Sequence, residues 1–110
     1  MRIAAHRDMK MLSDANEQII ANRARALGDP TRVRILSVVA RGEQAVGQIA
    51  EASATRQSTA SKHLQVLLHA GLVQRRRDAS AVFYSVTSPE VLRLCRLLRS
   101  KRFEPRGKAR

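Results

Sequence analysis

Aromatic residues make up only 3% of the chain and tryptophan is absent, so it lacks the rings on which unpaired RNA bases stack. It has a single cysteine, Cys95, and can form no internal disulfide, which fits a reducing, cytoplasmic setting. No run of about 18 apolar residues occurs, which excludes a membrane-spanning helix. The opening residues Met1 to Asp8 are charged and lack the apolar core of a secretory leader. No paired carboxylates, glycine-rich phosphate loop or nucleophile motif is present, which argues against an enzyme. The basic C-terminal stretch carries few bulky apolar residues, which argues against a membrane-surface anchor.

What is present is positive charge. Lysine and arginine total 21 against 9 acidic residues, a formal net charge of +12. The excess of arginine over lysine reflects codon composition as readily as function, but the charge itself predicts attraction to a polyanion, nucleic acid first. The 110 residues suffice for one small domain, whose modest core would gain from oligomerisation.

Residues 1–13 show no periodicity and read as a flexible N-terminal arm. Asp14 and Glu17 form a capping-box pattern ahead of Ile19, Ile20, Ala24 and Leu27, a first helix stopped by Gly28. Asp29 and Pro30 suit the N-cap and first position of a second helix, which buries Val33, Ile35, Leu36, Val38 and Val39 and ends near Gly42. A short third helix covers Val46 to Ser53, Ala54 to Arg56 turn, and a fourth helix runs from Gln57 to His69. Val73–Arg77 and Val82–Val86 alternate as a β-hairpin around Asp78-Ala79-Ser80-Ala81. Ser88-Pro89 opens a fifth helix with the apolar stripe Val91, Leu94, Cys95 and Leu98. Residues 14–100 thus form one domain, and 101–110 a basic disordered tail. The expected fold is mainly α with a small β-hairpin, in the order α-α-α-α-β-β-α of a winged helix-turn-helix.

The fourth helix carries the functional argument. Gln57, Ser58, Ser61, Lys62 and Gln65 share one face opposite the leucines. Glutamine bonds adenine bidentately, serine serves base or phosphate, and lysine reaches guanine or backbone, so this face fits a DNA major groove. A solvated face of an amphipathic helix looks the same in isolation. Its placement, after a short helix and tight turn and before a basic hairpin, favours DNA. Arg56, Thr59 and His63 complete the candidate recognition helix, with His63 expected to pack or meet phosphate and His69 to cap the helix C-terminus. In the hairpin, Arg75, Arg76, Arg77 and Ser80 are candidates for phosphate or minor-groove contact, although three arginines also make a solubilising edge. The fifth helix has more apolar surface than one side of a small core requires, and with Ile19 and Ile20 it suggests a dimer interface.

The segments Leu27-Gly-Asp-Pro-Thr-Arg-Val-Arg-Ile-Leu36, Val46-Gly-Gln-Ile-Ala-Glu51, Gln57-Ser-Thr-Ala-Ser-Lys-His-Leu64, Ala70-Gly-Leu-Val73 and Val82-Phe-Tyr-Ser-Val86 together resemble the ArsR/SmtB family of bacterial repressors. The likeness covers roughly Ala15 to Leu98. It implies a homodimer joined through the first and last helices (Ile19, Ile20, Val91, Leu94, Cys95 and Leu98), a palindromic operator, and repression relieved by a metal ion or thiol oxidant. Two departures stand out. Arg56 occupies the place of a capping serine, so either Thr55 caps the fourth helix or its start shifts. The hairpin tip lacks glycine.

The same resemblance places metal sites where this chain has none of the usual ligands. Val46-Gly-Gln-Ile-Ala50 contains no cysteine, and the last helix contains no histidine. Persulfide and disulfide sensors need two cysteines, whereas a lone Cys95 in an apolar stripe reads as a small hydrophobe. His6 and Asp8 are the weak remaining candidates for nickel or zinc. The expected function is therefore a sequence-specific, homodimeric DNA-binding regulator of the ArsR/SmtB type, its signal an unusual site or an accessory protein. The alternative is an architectural, nonspecific nucleic-acid binder using the same charge.

Overall fold

The computed structural model describes residues 14–105; the arm, with His6 and Asp8, and the last five positions lie outside the described residues. Helix α1 spans Asp14–Ala26, α2 Pro30–Val39, α3 Val46–Ala52, α4 Gln57–His69 and α5 Pro89–Leu98. Strand β1 is Gln44–Ala45, β2 Val73–Asp78 and β3 Ala81–Val86. Asp14 already lies in the helix, so it is not the N-cap its spacing from Glu17 suggested.

The start of α2 is set by local chemistry. Asp29 holds extended backbone and its Oδ1 accepts from Thr31 N at 2.8 Å and Arg32 N at 3.1 Å, while Pro30 needs no partner for a missing N–H. These two bonds, that from Arg32 foremost, hold the Asp29 carboxyl below its ordinary range. Ile35, Leu36, Val38 and Val39 then enter the core, where Ile49 and Ala50 of α3, Ala60, Leu64 and Leu67 of α4, and Leu72, Val73 and Tyr84 meet them. Helix α1 contributes Ala26.

The sheet has three strands in the order β1-β3-β2, all antiparallel. The third strand, absent from the expected order, is the two-residue β1, which pairs Gln44 with Tyr84 and Ala45 with Phe83. Gln44 fixes it by donating from Nε2 to the carbonyls of Val38 and Gly42. In the β2–β3 hairpin Asp78 faces Ala81, and Ala79 turns the tip at φ +57 without a glycine. Ser88 stands at the N-cap of α5, but its hydroxyl makes no capping bond. Val91, expected in the dimer stripe, is only 7% exposed and belongs to the core. The basic segment expected to be disordered opens with a 3-10 turn, Lys101–Phe103, capped by Ser100 Oγ on Arg102 N. No helix of the described residues is long and apolar enough to cross a membrane.

Candidate nucleic-acid interface

The turn before α4 fixes where its outer face points. Ser53 is buried, and its Oγ donates to Ile49 O at 2.6 Å. Ala54 takes φ +58, and Thr55 N returns to Ala50 O at 2.9 Å. From α2, Arg34 Nε donates to Ser53 O at 2.9 Å and so ties the turn to the core helix. Residue type alone does not single out Arg34, because its partner lies 19 positions away; its one signal is a charge between two apolar neighbours.

Helix α4 begins at Gln57 with Arg56 at the N-cap and no side-chain capping bond. Thr55 does not cap it; its hydroxyl lies 3.2 Å from that of Ser53. The first N–H groups of α4 therefore end the helix without a side-chain acceptor, beside an exposed guanidinium. Such an end favours an anion.

Along α4 the candidate residues divide between two flanks. Gln57, Ser58 and Lys62 are exposed, and Ser61 and Gln65 are half-buried beside them. Gln65 Nε2 donates to Tyr84 Oη at 3.3 Å, so this flank faces the sheet. His63 lies on the other flank, its Nδ1 3.5 Å from Arg32 Nη1, and Thr59 one turn earlier shares that side. His63 is thus packed against the start of α2 and away from the Gln57–Lys62 face, one of the two outcomes expected for it. His69 Nδ1 sits 2.8 Å from Gln65 O in the last turn, as expected of a C-terminal cap.

Strand alternation also sorts the three arginines. Arg75 and Arg77 pair with Tyr84 and Val82 and share the face of buried Val73 and Tyr84. Arg76 points to the opposite face, where Glu43 Oε1 and Oε2 accept from its Nη2 and Nε at 2.8 and 3.0 Å. Its guanidinium also lies 5.1 Å from the Phe83 ring centre. The Arg76 bond holds the Glu43 carboxyl below its ordinary range. Among the described residues Arg56, Lys62, Arg75 and Arg77 have no ion-pair partner, and Ser80 sits exposed at the hairpin tip. The arrangement is a polar helix face flanked by unpaired cations, which suits base edges and phosphates side by side.

The interface candidates are split as well. Ile19, Ile20, Leu94 and Leu98 are exposed, as is Leu97, while Cys95 is half-buried against the core. Burial pushes the Cys95 thiol up from its ordinary value, so it stays neutral. Among the described residues no three His, Cys, Asp or Glu side chains converge to hold a metal.

Comparison with known proteins places the chain. A family model described as bacterial regulatory protein, arsR family, matches residues 29–75. The probable mercury resistance operon repressor of Streptomyces lividans is 40% identical over 75 residues, covering 68% of this chain and 60% of that protein. The biofilm growth-associated repressor of Agrobacterium fabrum is 34% identical over 79 residues, covering 72% of this chain and 68% of that one. A solution structure from Mycobacterium bovis, a homodimeric winged helix-turn-helix DNA-binding domain described as a possible ArsR-family regulator, is 33% identical with a TM-score of 0.73. That match covers 82% of this chain and 86% of the domain. The chain spans 35%, 60% and 63% of the length of three curated relatives.

Proposed function

The chain belongs to the arsR family of bacterial regulatory proteins, and from that premise we propose that it is a sequence-specific, homodimeric DNA-binding repressor acting in the cytoplasm on a palindromic operator. The observation that carries this reading is the joint exposure of Gln57, Ser58 and Lys62 on α4 beside the unpaired Arg75 and Arg77 of the hairpin. In the dimer two α4 helices enter successive major grooves about 34 Å apart, with the hairpins on the flanking backbone. Gln57, Ser58, Ser61 and Lys62 discriminate bases, and Gln65 contributes from the sheet side of the same face. Arg56, Arg75 and Arg77 neutralise phosphates and make binding strongly salt-dependent. Arg76 acts indirectly, by holding the hairpin to Glu43.

Exposed Ile19, Ile20, Leu94 and Leu98 form the contact between copies, with Cys95 half-buried against the core of each. The inducing signal reaches the dimer through an effector or an accessory protein, and no catalytic step is assigned.

The test is fluorescence anisotropy on the chain's own upstream DNA against scrambled DNA at about 150 mM salt. A preference of about a thousandfold or more supports the repressor. Equal binding to both overturns base readout and leaves the architectural reading, in which the same cations hold phosphate alone.

A further inference from the structure

Helix α5 has two unlike flanks. Leu94, Leu97 and Leu98 lie on one and are exposed. On the other, Leu92, Cys95, Arg96 and Arg99 face Val33 and Ser37 of α2 across a groove of about 330 Å³. A smaller hollow of about 250 Å³ continues it past Val33, Cys95 and Arg99 to Leu27 and Leu98. The groove is therefore formed within one subunit and opens beside exposed Leu94 and Leu97, with Leu98 bordering the hollow that continues it.

Its floor is apolar. Val33, Leu92 and Cys95 are all half-buried, and the raised thiol keeps Cys95 from adding an anion to the wall. Its rim is cationic. Of the two arginines on α5 and the one at its C-cap, Arg93 pairs with Glu90 at 3.8 Å, whereas Arg96 and Arg99 have no partner among the described residues. The Ser37 hydroxyl donates to Val33 O at 3.0 Å, which leaves the two guanidinium groups as the donors free to meet a ligand. They stand one helical turn apart, and a guanidinium binds a carboxylate in a two-bond fork.

We propose that the α2–α5 groove binds a small organic anion with an apolar body, its carboxylate on Arg96 and Arg99 and its body against Val33, Leu92 and Cys95. The volume lies at the low end of small-molecule sites, so the ligand is compact. The site stands on the fold alone. Its regulatory use rests on the dimeric repressor reading: a body wedged between α2 and α5 turns the helix whose opposite flank presents Leu94 and Leu97.

Calorimetric titration of the full chain with octanoate, in the absence of DNA, tests the site separately from the repressor reading. Octanol, which lacks the carboxylate, serves as the comparison. The expected result is saturable uptake of one octanoate per chain and weaker binding of octanol. The exposed pair Arg96→Gln/Arg99→Gln should then weaken octanoate at least about tenfold, or about 1.4 kcal/mol. Octanoate should also slow alkylation of Cys95 by iodoacetamide in the parent chain and not in the double variant. No saturable binding, equal affinity of parent and double variant, or a Cys95 alkylation rate indifferent to octanoate would each overturn the proposal.

Discussion

The three consecutive arginines of the hairpin offer a sharp test, because strand alternation assigns them different work. Among the described residues Arg75 and Arg77 have no ion-pair partner, and they share the face of Tyr84, whose hydroxyl accepts from Gln65 of α4. Arg76 faces away and is bonded through two nitrogens to Glu43. Each phosphate contact removed lowers the log–log salt slope of binding by about 0.9. Two such contacts on each of two hairpins lower it by up to about 3.6 in the Arg75→Gln/Arg77→Gln dimer. Between about 50 and 200 mM salt, a fourfold change, the variant's affinity then falls by up to roughly 150-fold less than that of the parent. Arg76→Gln should leave the slope unchanged and instead loosen the hairpin, seen as faster amide exchange in β2 and β3. Anisotropy titrations at four or more salt concentrations read the slopes directly. A slope that falls equally for Arg76→Gln, or stays put in the double variant, would refute the face assignment.

Other perturbations probe the interface, the turn and the cap. Leu94→Glu sets a charge among the exposed leucines of α5 and should weaken dimerisation and DNA binding together; sedimentation that finds a monomer still binding tightly would contradict this. Ala54 holds φ +58 in the turn before α4, so Ala54→Gly should stabilise the fold by about 1 kcal/mol in urea denaturation, and a loss of stability would count against the turn geometry. Asp29 has its carboxyl depressed by two backbone N–H bonds, so its stabilisation is full above its ordinary value near 3.8 and is lost as pH falls through the lower folded value. Melting temperatures of Asp29→Asn, which keeps an acceptor at the cap, should therefore fall less than those of the parent between about pH 5 and 3.

Features whose partners are close in sequence were legible without the structure. Asp29 caps residues two and three positions on, and the leucines of α4 repeat at helical spacing, so both helices could be placed from residue types alone. Long-range partners were not. Arg76 and Glu43 are 33 positions apart, and nothing in three adjacent arginines says which one has a carboxylate opposite. Strand β1 is two residues long, too short to show an alternating pattern, and exists because Tyr84 and Phe83 offer an edge. Periodicity placed Val91 and Leu94 on one stripe of α5. Only packing separates Val91, which meets the core, from Leu94, which does not. Thr55 was the natural substitute cap for α4 by residue type, yet its hydroxyl lies by Ser53 instead.

Helix α1 is attached to the body in an unusual balance. Among its described side chains it places only Ala26 in the core, with Leu27 partly buried just past its end. Its other moorings are arginines: Arg23 Nε donates to Ala70 O beyond the end of α4, and Arg32 of α2 donates to Ala26 O and Arg25 O. Directional bonds at the water's edge hold less firmly than buried apolar area, because solvent replaces them as they break. The free energy needed to lift α1 away is accordingly a fraction of that needed to open α2 or α4. In a single copy α1 should therefore open ahead of the core, and in the proposed dimer the seating of Ile19 and Ile20 between copies adds the apolar burial it lacks, so that dimerisation and the ordering of α1 are coupled.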